Sequence, residues 1–227
     1  MTLETVNAFM QLVVFLLAIS VHESAHAWMA SRRGDQTARM LGRVTLNPIK
    51  HIDPIGSVLL PILCYVSHFP IFGWAKPTPV NTRNFKDPVL DDILTSVAGP
   101  VSNFLMAAIA LVMMLLVSAT SLTGKVMVQA LAGQGSVLDT SSPLMPIVLL
   151  LFNGMMINVL LGIFNLIPVP PLDGSHVLRH FLPDGVRRVY DQLGIFALII
   201  LFAFGSPLLS AIFNPVMNAL RRVLVSL

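Results

Sequence analysis

The sequence predicts an all-α polytopic membrane protein, with four or more transmembrane helices and a re-entrant segment over about 55–72. Three observations predict it. Apolar residues make up 55% of the 227 residues and charged residues 11%, against roughly 25% charged in soluble domains. The mean hydropathy is +0.80, which leaves too little polar surface to face water all round. Four apolar stretches are also long enough to supply the ~20 helical residues that a ~30 Å hydrocarbon core requires.

The first stretch is Val6–Ala30. Glu4 precedes it and no Lys or Arg occurs before Arg32, so it lacks the basic start of a cleavable signal peptide and reads as a retained span. The following loop carries Arg32, Arg33, Arg39, Arg43 and Lys50, a pattern that suits anionic lipid at the cytoplasmic face rather than nucleic acid. The stretch Ile55–Phe72 holds Gly56, Pro61 and Pro70, with His68 near its end. Prolines kink a helix, which favours a re-entrant hairpin or a broken helix.

The second and third full spans are Ile93–Ala119 and Pro143–Ile167, and the loop 120–142 between them contains only Lys125. Lys76, Arg83 and Lys86 before them, and Arg179, Arg187 and Arg188 after them, then fall on the cytoplasmic side. That arrangement requires 55–72 to enter and leave by one face, and it puts the N-terminus outside. The fourth span, Leu193–Phe213, leaves Arg221 and Arg222 outside. Either it is itself a hairpin or those arginines lie on an interfacial helix, and both options stay open here. The whole of 1–227 reads as a single membrane-embedded domain, its core about 6–181 and its C-terminal span about 193–213, with no hydrophilic insert large enough for a soluble sensor domain. The single cysteine, Cys64, excludes an intrachain disulfide and a cysteine metal cluster and reads as a small buried residue. The twelve methionines read as packing or lipid-facing residues.

The chemistry concentrates in His22-Glu23-Ser24-Ala25-His26. Positions i and i+4 share a helix face. Two imidazoles so spaced can bind one zinc ion, with the glutamate placed to act on a zinc-bound water. If the helix continues to Arg32, His22 lies ~15 Å deep at a rise of ~1.5 Å per residue. Three ionisable groups at that depth are costly and point to function. Catalytic zinc usually takes three protein ligands. The best third candidate is Asp173, which ends the run Asn165-Leu166-Ile167-Pro168-Val169-Pro170-Pro171-Leu172-Asp173-Gly174. Its prolines forbid regular helix, and irregular backbone at membrane depth belongs against protein or a watery cavity. Asp173 could equally cap the helix that follows. His176 and His180, one turn apart, read as supporting or interfacial residues, and His51 and His68 as loop or interface residues.

Jointly these motifs resemble the site-2 proteases, the M50-type intramembrane zinc metalloproteases, in the short prokaryotic form without a PDZ or CBS domain. The matching pieces are HESAH at 22–26, LGRVTLNP at 41–48, HIDPIGS at 51–57, FGWAKPTPVN at 72–81, AGPVSN at 98–103 and FNLIPVPPLDGSH at 164–176. The resemblance implies Zn²⁺ held by His22, His26 and Asp173, with Glu23 as general base. It implies that Asn165 and Asn103 help hold the substrate backbone or the oxyanion. Asn165 also reads that way from its place beside unwound backbone. Asn103 reads equally as helix packing through Gly99-x-x-x-Asn103. The implied substrates are transmembrane segments of other membrane proteins, unwound and pinned in extended form against edge strands. Arg43–Pro48 and Lys76–Asn81 are the expected edge elements, with the prolines at 77 and 79 allowing only an edge position. The implied location is the prokaryotic plasma membrane, with the site nearer the cytoplasmic side.

Rival readings are a catalytically silent zinc-binding membrane protein that binds transmembrane helices, a metal transporter, and a membrane-anchored protease with its catalytic domain in water. The first would be expected to have lost Glu23 or a ligand. A transporter should line several spans with polar residues, and the anchored protease should carry its motif on a soluble helix.

Overall fold

The computed structural model describes residues 3–67, 73–133 and 142–226, and every described element is a helix or a helical turn. Among the described residues nine α-helices follow in order: α1 Leu3–Arg33, α2 Thr37–Met40, α3 Leu60–Val66, α4 Pro88–Thr120, α5 Leu122–Leu131, α6 Met145–Leu166, α7 Asp173–Arg179, α8 Asp184–Phe204 and α9 Ser206–Val225. Three are long and apolar enough to cross a membrane: Thr5–Arg33 of α1, Pro88–Thr120 and Met145–Leu166. They match the first, second and third expected spans.

The fourth expected span, 193–213, is not one helix. α8 ends at Phe204, and Gly205 donates back to the Leu201 carbonyl at 2.7 Å before α9 begins at Ser206. Gly205 is a weak helix former and Pro207 lacks a backbone donor, so the chain breaks there. Gly194, inside α8, adds a second irregularity at φ 46°. Arg221 and Arg222 therefore lie on a separate helix, α9.

The 55–72 segment is a broken helix over its described part. A π-helical turn of six residues, Pro54–Leu59, runs into the seven-residue α3. Together they rise about 20 Å, short of the ~30 Å of a full crossing. His68, with the rest of 68–72, lies outside the described residues, as do 134–141 of the 120–142 loop. Cys64 is only half-buried.

Neither expected edge element is a strand. In 76–81 the prolines remove two ladder donors. Three of the four remaining donors go elsewhere: Lys76 N–H to the His51 carbonyl at 2.8 Å, Thr78 N–H to the Glu23 carboxylate, and Asn81 N–H to the Asp35 carboxylate at 2.8 Å. In 43–48 the backbone bends at 44–45, and the Asn47 side chain caps the turn Pro48–Lys50.

The chain divides into two compact units. One comprises Met1–Phe15, Phe104–Leu160 and Ser206–Leu227. Its core is rich in methionine, with Met114, Met127, Met145 and Met155 buried among Val128, Val148 and Leu224, as expected of a flexible side chain that fills irregular gaps. Asn153 donates to Asn7 at 2.9 Å within this unit, a polar tie between apolar helices.

The other unit comprises Leu16–Asn103 and Leu161–Gly205. Here the 73–86 segment is pinned along its length. A Cβ on Gly56 would meet the Trp74 indole at 2.4 Å, so only glycine lets the π-helical turn lie under that ring. Ser57 Oγ donates to the Trp74 carbonyl at 2.7 Å. Asp35, fully buried, accepts from Thr37, Asn81 and Asn84. Burial alone would push its carboxyl up, but these hydrogen bonds outweigh that and hold it below the ordinary value. Arg33 pairs with Asp91 at 2.5 Å, tying the end of α1 to the start of α4.

Candidate metal centre

α1 carries His22 and His26 one turn apart, their ring centroids 4.6 Å apart and the rings nearly perpendicular. α4 supplies the partners that fix them. His22 Nδ1 lies 2.6 Å from Asn103 Oδ1, and His26 Nδ1 lies 2.7 Å from the Thr95 carbonyl oxygen. Each oxygen accepts, so each Nδ1 carries the proton and each Nε2 keeps a lone pair. The two Nε2 atoms face each other at 3.0 Å.

Asp173 closes the group. Its Oδ2 is 3.1 Å from His22 Nε2 and its Oδ1 is 3.4 Å from His26 Nε2. Oδ2 is buried and has no hydrogen-bond partner. Asp173 is a carboxylate at neutral pH, as aspartates ordinarily are. Two imidazole lone pairs and a carboxylate in this space repel one another unless a cation sits among them. The donor set fits zinc: bonds of ~2.0–2.1 Å in a tetrahedron place ligand atoms about 3.3 Å apart, and the three separations bracket that spacing. Among the described residues this is the one His/Cys/Asp/Glu group so placed, one ligand atom from each residue lying within 4.8 Å of the others.

The backbone explains how Asp173 arrives there. α6 ends at Leu166, and the proline-rich turn 167–172 follows, with Leu172 N–H bonded to the Val169 carbonyl at 2.9 Å. A Cβ on Gly174 would lie 2.2 Å from the Leu166 carbonyl oxygen, so the start of α7 rests directly on the end of α6. Tyr190 of α8 donates to the Pro168 carbonyl at 2.9 Å and braces the turn.

Glu23 is half-buried on the same turn of α1 as the histidines. Its Oε2 accepts from Thr78 N–H at 2.8 Å and from Thr78 Oγ1 at 2.7 Å. Pro77 and Pro79 have no N–H, so Thr78 provides the only main-chain donor of that triplet. Asn103, fully buried, reaches the cluster through His22, and Gly99 one turn earlier does pack helices, as its spacing suggests. Asn165 does not reach the cluster in this way: it donates to the Leu161 carbonyl of its own helix at 2.9 Å.

The sequence reading missed Thr78 and Thr95. A threonine flanked by two prolines was a usable signal for the first. Thr95 contributes only a main-chain carbonyl, which leaves no mark in residue type. His51 is a loop residue, one of the two readings the sequence left open, but a fully buried one: its Nε2 lies 2.8 Å from the Thr45 carbonyl oxygen.

The family model described as peptidase family M50 matches residues 10–208. "Putative zinc metalloprotease YwhC" of Bacillus subtilis (strain 168) is 37% identical over 216 residues, covering 95% of this chain and 89% of that one. "Putative zinc metalloprotease Rip2" of Mycobacterium tuberculosis (strain H37Rv) is 28% identical over 205 residues, 88% of this chain and 68% of the relative. The protein of the same name from Mycolicibacterium smegmatis is 32% identical over 100 residues, 43% of this chain and 36% of its own. No solved structure matches the chain.

Proposed function

The chain belongs to peptidase family M50, and from that membership we propose that it is an intramembrane zinc metallopeptidase, cutting peptide bonds within or near transmembrane segments of other membrane proteins. His22, His26 and Asp173 are the metal ligands and Glu23 is the general base. The observation that carries this is the fixed pair of Nδ1 partners, which turns both Nε2 lone pairs onto one carboxylate, that of His22 toward the buried, unpartnered Oδ2 and that of His26 toward Oδ1. The motif sits on an apolar helix long enough to cross a membrane, which favours substrates met at membrane depth. The basic loops favour a multi-pass arrangement in a prokaryotic plasma membrane, with the site nearer the cytoplasmic side.

A bound zinc ion would supply a water whose pKa falls toward ~7 and a Lewis acid for the scissile carbonyl. Glu23 takes the proton from the attacking water and passes it to the leaving amine. Thr78 holds Glu23 Oε2, which leaves Oε1 as the oxygen that moves the proton. Asn103 and the Thr95 carbonyl keep the imidazoles in one tautomer through the cycle. The two imidazoles are neutral and Asp173 brings one negative charge, so the site keeps a net positive charge toward a developing oxyanion.

The test uses the full chain in detergent, measuring zinc per chain and cleavage of a model transmembrane substrate beside Glu23→Gln. About one zinc in both proteins, with cleavage by the parent alone, is the expected result. Equal cleavage by Glu23→Gln, or no zinc after supplementation, refutes the mechanism.

A further inference from the structure

α4 presents a buried stripe to the metal centre at positions 92, 95, 99 and 103, spaced so that all four share one helix face. Three members act on the histidines of α1: the Thr95 carbonyl holds His26, Asn103 holds His22, and Gly99 gives them room. The fourth, Asp92, is 5% exposed and faces α7 instead. Its Oδ2 accepts from His180 Nε2 at 2.7 Å, and its Oδ1 lies 3.7 Å from His176 Nδ1. The His180 side chain is 16% exposed and that of His176 45%, so His180 carries the contact.

α7 is only seven residues long and starts with Asp173. Its first turn rests on the α6 backbone through Gly174. Its far end is the C-cap residue His180. A helix this short has little stability of its own, so its direction depends on what grips its two ends.

Resting on the metal reading above, we propose that Asp92 is a positioning residue for the third ligand: through His180 it fixes the axis of α7 and so aims the Asp173 carboxylate at the imidazole pair. One face of α4 then sets all three ligands, two through their rings and the third through the helix that bears it. The other use of a His-x-x-x-His pair with an aspartate, a second metal site, is not favoured, because these atoms do not form a ligand-spaced group while those of the first centre do.

The experiment is zinc affinity by chelator competition on the full chain in detergent, with the melting midpoint of the metal-free protein measured beside it. Asp92→Ala should weaken zinc binding on the order of tenfold, the low end for an outer-shell partner. Asp92→Asn, which keeps an acceptor for His180, should recover most of it. His180→Ala should match Asp92→Ala, and the double variant should be no worse than either alone, because one contact is lost in all three. Asp191→Ala, which removes the exposed Arg179–Asp191 pair on the same short helix, should bind zinc as the parent does. Parental affinity in Asp92→Ala, or losses that add in the double variant, would overturn the clamp. So would a lowered metal-free midpoint with unchanged affinity, which would mark Asp92 as a purely structural contact. If Asp92→Ala does not fold, the His180 pair decides: His180→Gln keeps a donor near the Nε2 position and should bind more tightly than His180→Ala, and equal affinities would overturn the proposal. A parent that takes up no zinc would refute the metal reading itself. A parent that takes up zinc while Asp92→Ala equals it refutes the clamp alone.

Discussion

Gly99→Ala separates helix propensity from site geometry. In an exposed helix, alanine stabilises over glycine by roughly 0.8–1 kcal/mol, so propensity alone predicts a more stable chain. At position 99 the added Cβ would lie 2.3 Å from His26 Nε2 and 2.6 Å from His22 Cε1. Ordinary van der Waals contact begins at 3.4 Å, so the ring or the helix must retreat by about 1 Å. Overpacking of that kind costs roughly 1–3 kcal/mol, which cancels or exceeds the propensity gain. The effect on the metal is larger, because ligand distances are set to about ±0.2 Å and the methyl enters the space beside the lone pair itself. Zinc affinity should fall by a hundredfold or more, on the scale of a ~1 Å misplacement at a reacting centre, while the metal-free melting midpoint moves by only a few degrees. Metal analysis after graded chelator treatment, with thermal unfolding of the metal-free chain, reads both. A Gly99→Ala protein that holds zinc as tightly as the parent would refute the close approach of α4 to the histidines.

The other predictions test single contacts. Asn103→Ala frees the His22 ring and should weaken zinc binding about 10–100-fold, read by the same competition. Thr78→Val removes the hydroxyl held by Glu23 at 2.7 Å; kcat should fall about tenfold with KM and zinc content unchanged, and Thr78→Ser should restore it. Losses in Thr78→Ser equal to those in Thr78→Val would mean that packing, not the hydroxyl, matters. Asp35 stays ionised in the folded chain below its ordinary value of 3.8, so unfolding takes up a proton there. Its contribution is complete above the ordinary carboxylate range and is lost as pH falls through the lowered folded value. A melting curve taken from about pH 5 down to about pH 2 should therefore fall less steeply for Asp35→Asn than for the parent, and parallel curves would remove Asp35 from the acid response.

What the sequence disclosed follows from how far each signal reaches along the chain. His22, Glu23 and His26 were legible because their relation is one helical turn, and Asp173 because the prolines before it force the chain out of helix. The first three spans were legible from length and apolarity alone. The split at Gly205 was also written locally, in Gly205-Ser206-Pro207, but a hydropathy window averages over it. The contacts that finish the site were not legible. Thr78 is 55 positions from Glu23, Asp92 is 88 from His180, and Thr95 acts through its carbonyl. The expected edge strands failed for a different reason: an extended stretch reads as a strand in sequence whether its donors meet a neighbouring backbone or, as with Thr78 and Asn81, two carboxylates.

That last difference bears on how substrate could be held. The strap 73–81 directs the N–H groups of Trp74, Lys76, Thr78 and Asn81 to Gly56, His51, Glu23 and Asp35, so a strand added along it could pair with those four donors only by displacing a partner. Of these bonds, the one to Glu23 alone involves the residue proposed as general base. Its acceptor, Oε2, accepts twice from Thr78. A substrate backbone that paired with the Thr78 amide would therefore have to take a donor from the proposed general base, and binding and base activation would be coupled at this residue. The hydroxyl at 2.7 Å can keep the carboxylate oriented while the amide turns to substrate, which is why Thr78→Val should lower kcat and leave KM unchanged. If that variant raised KM at constant kcat, the hydroxyl would belong to substrate binding, and the orientation of Glu23 would have to come from elsewhere.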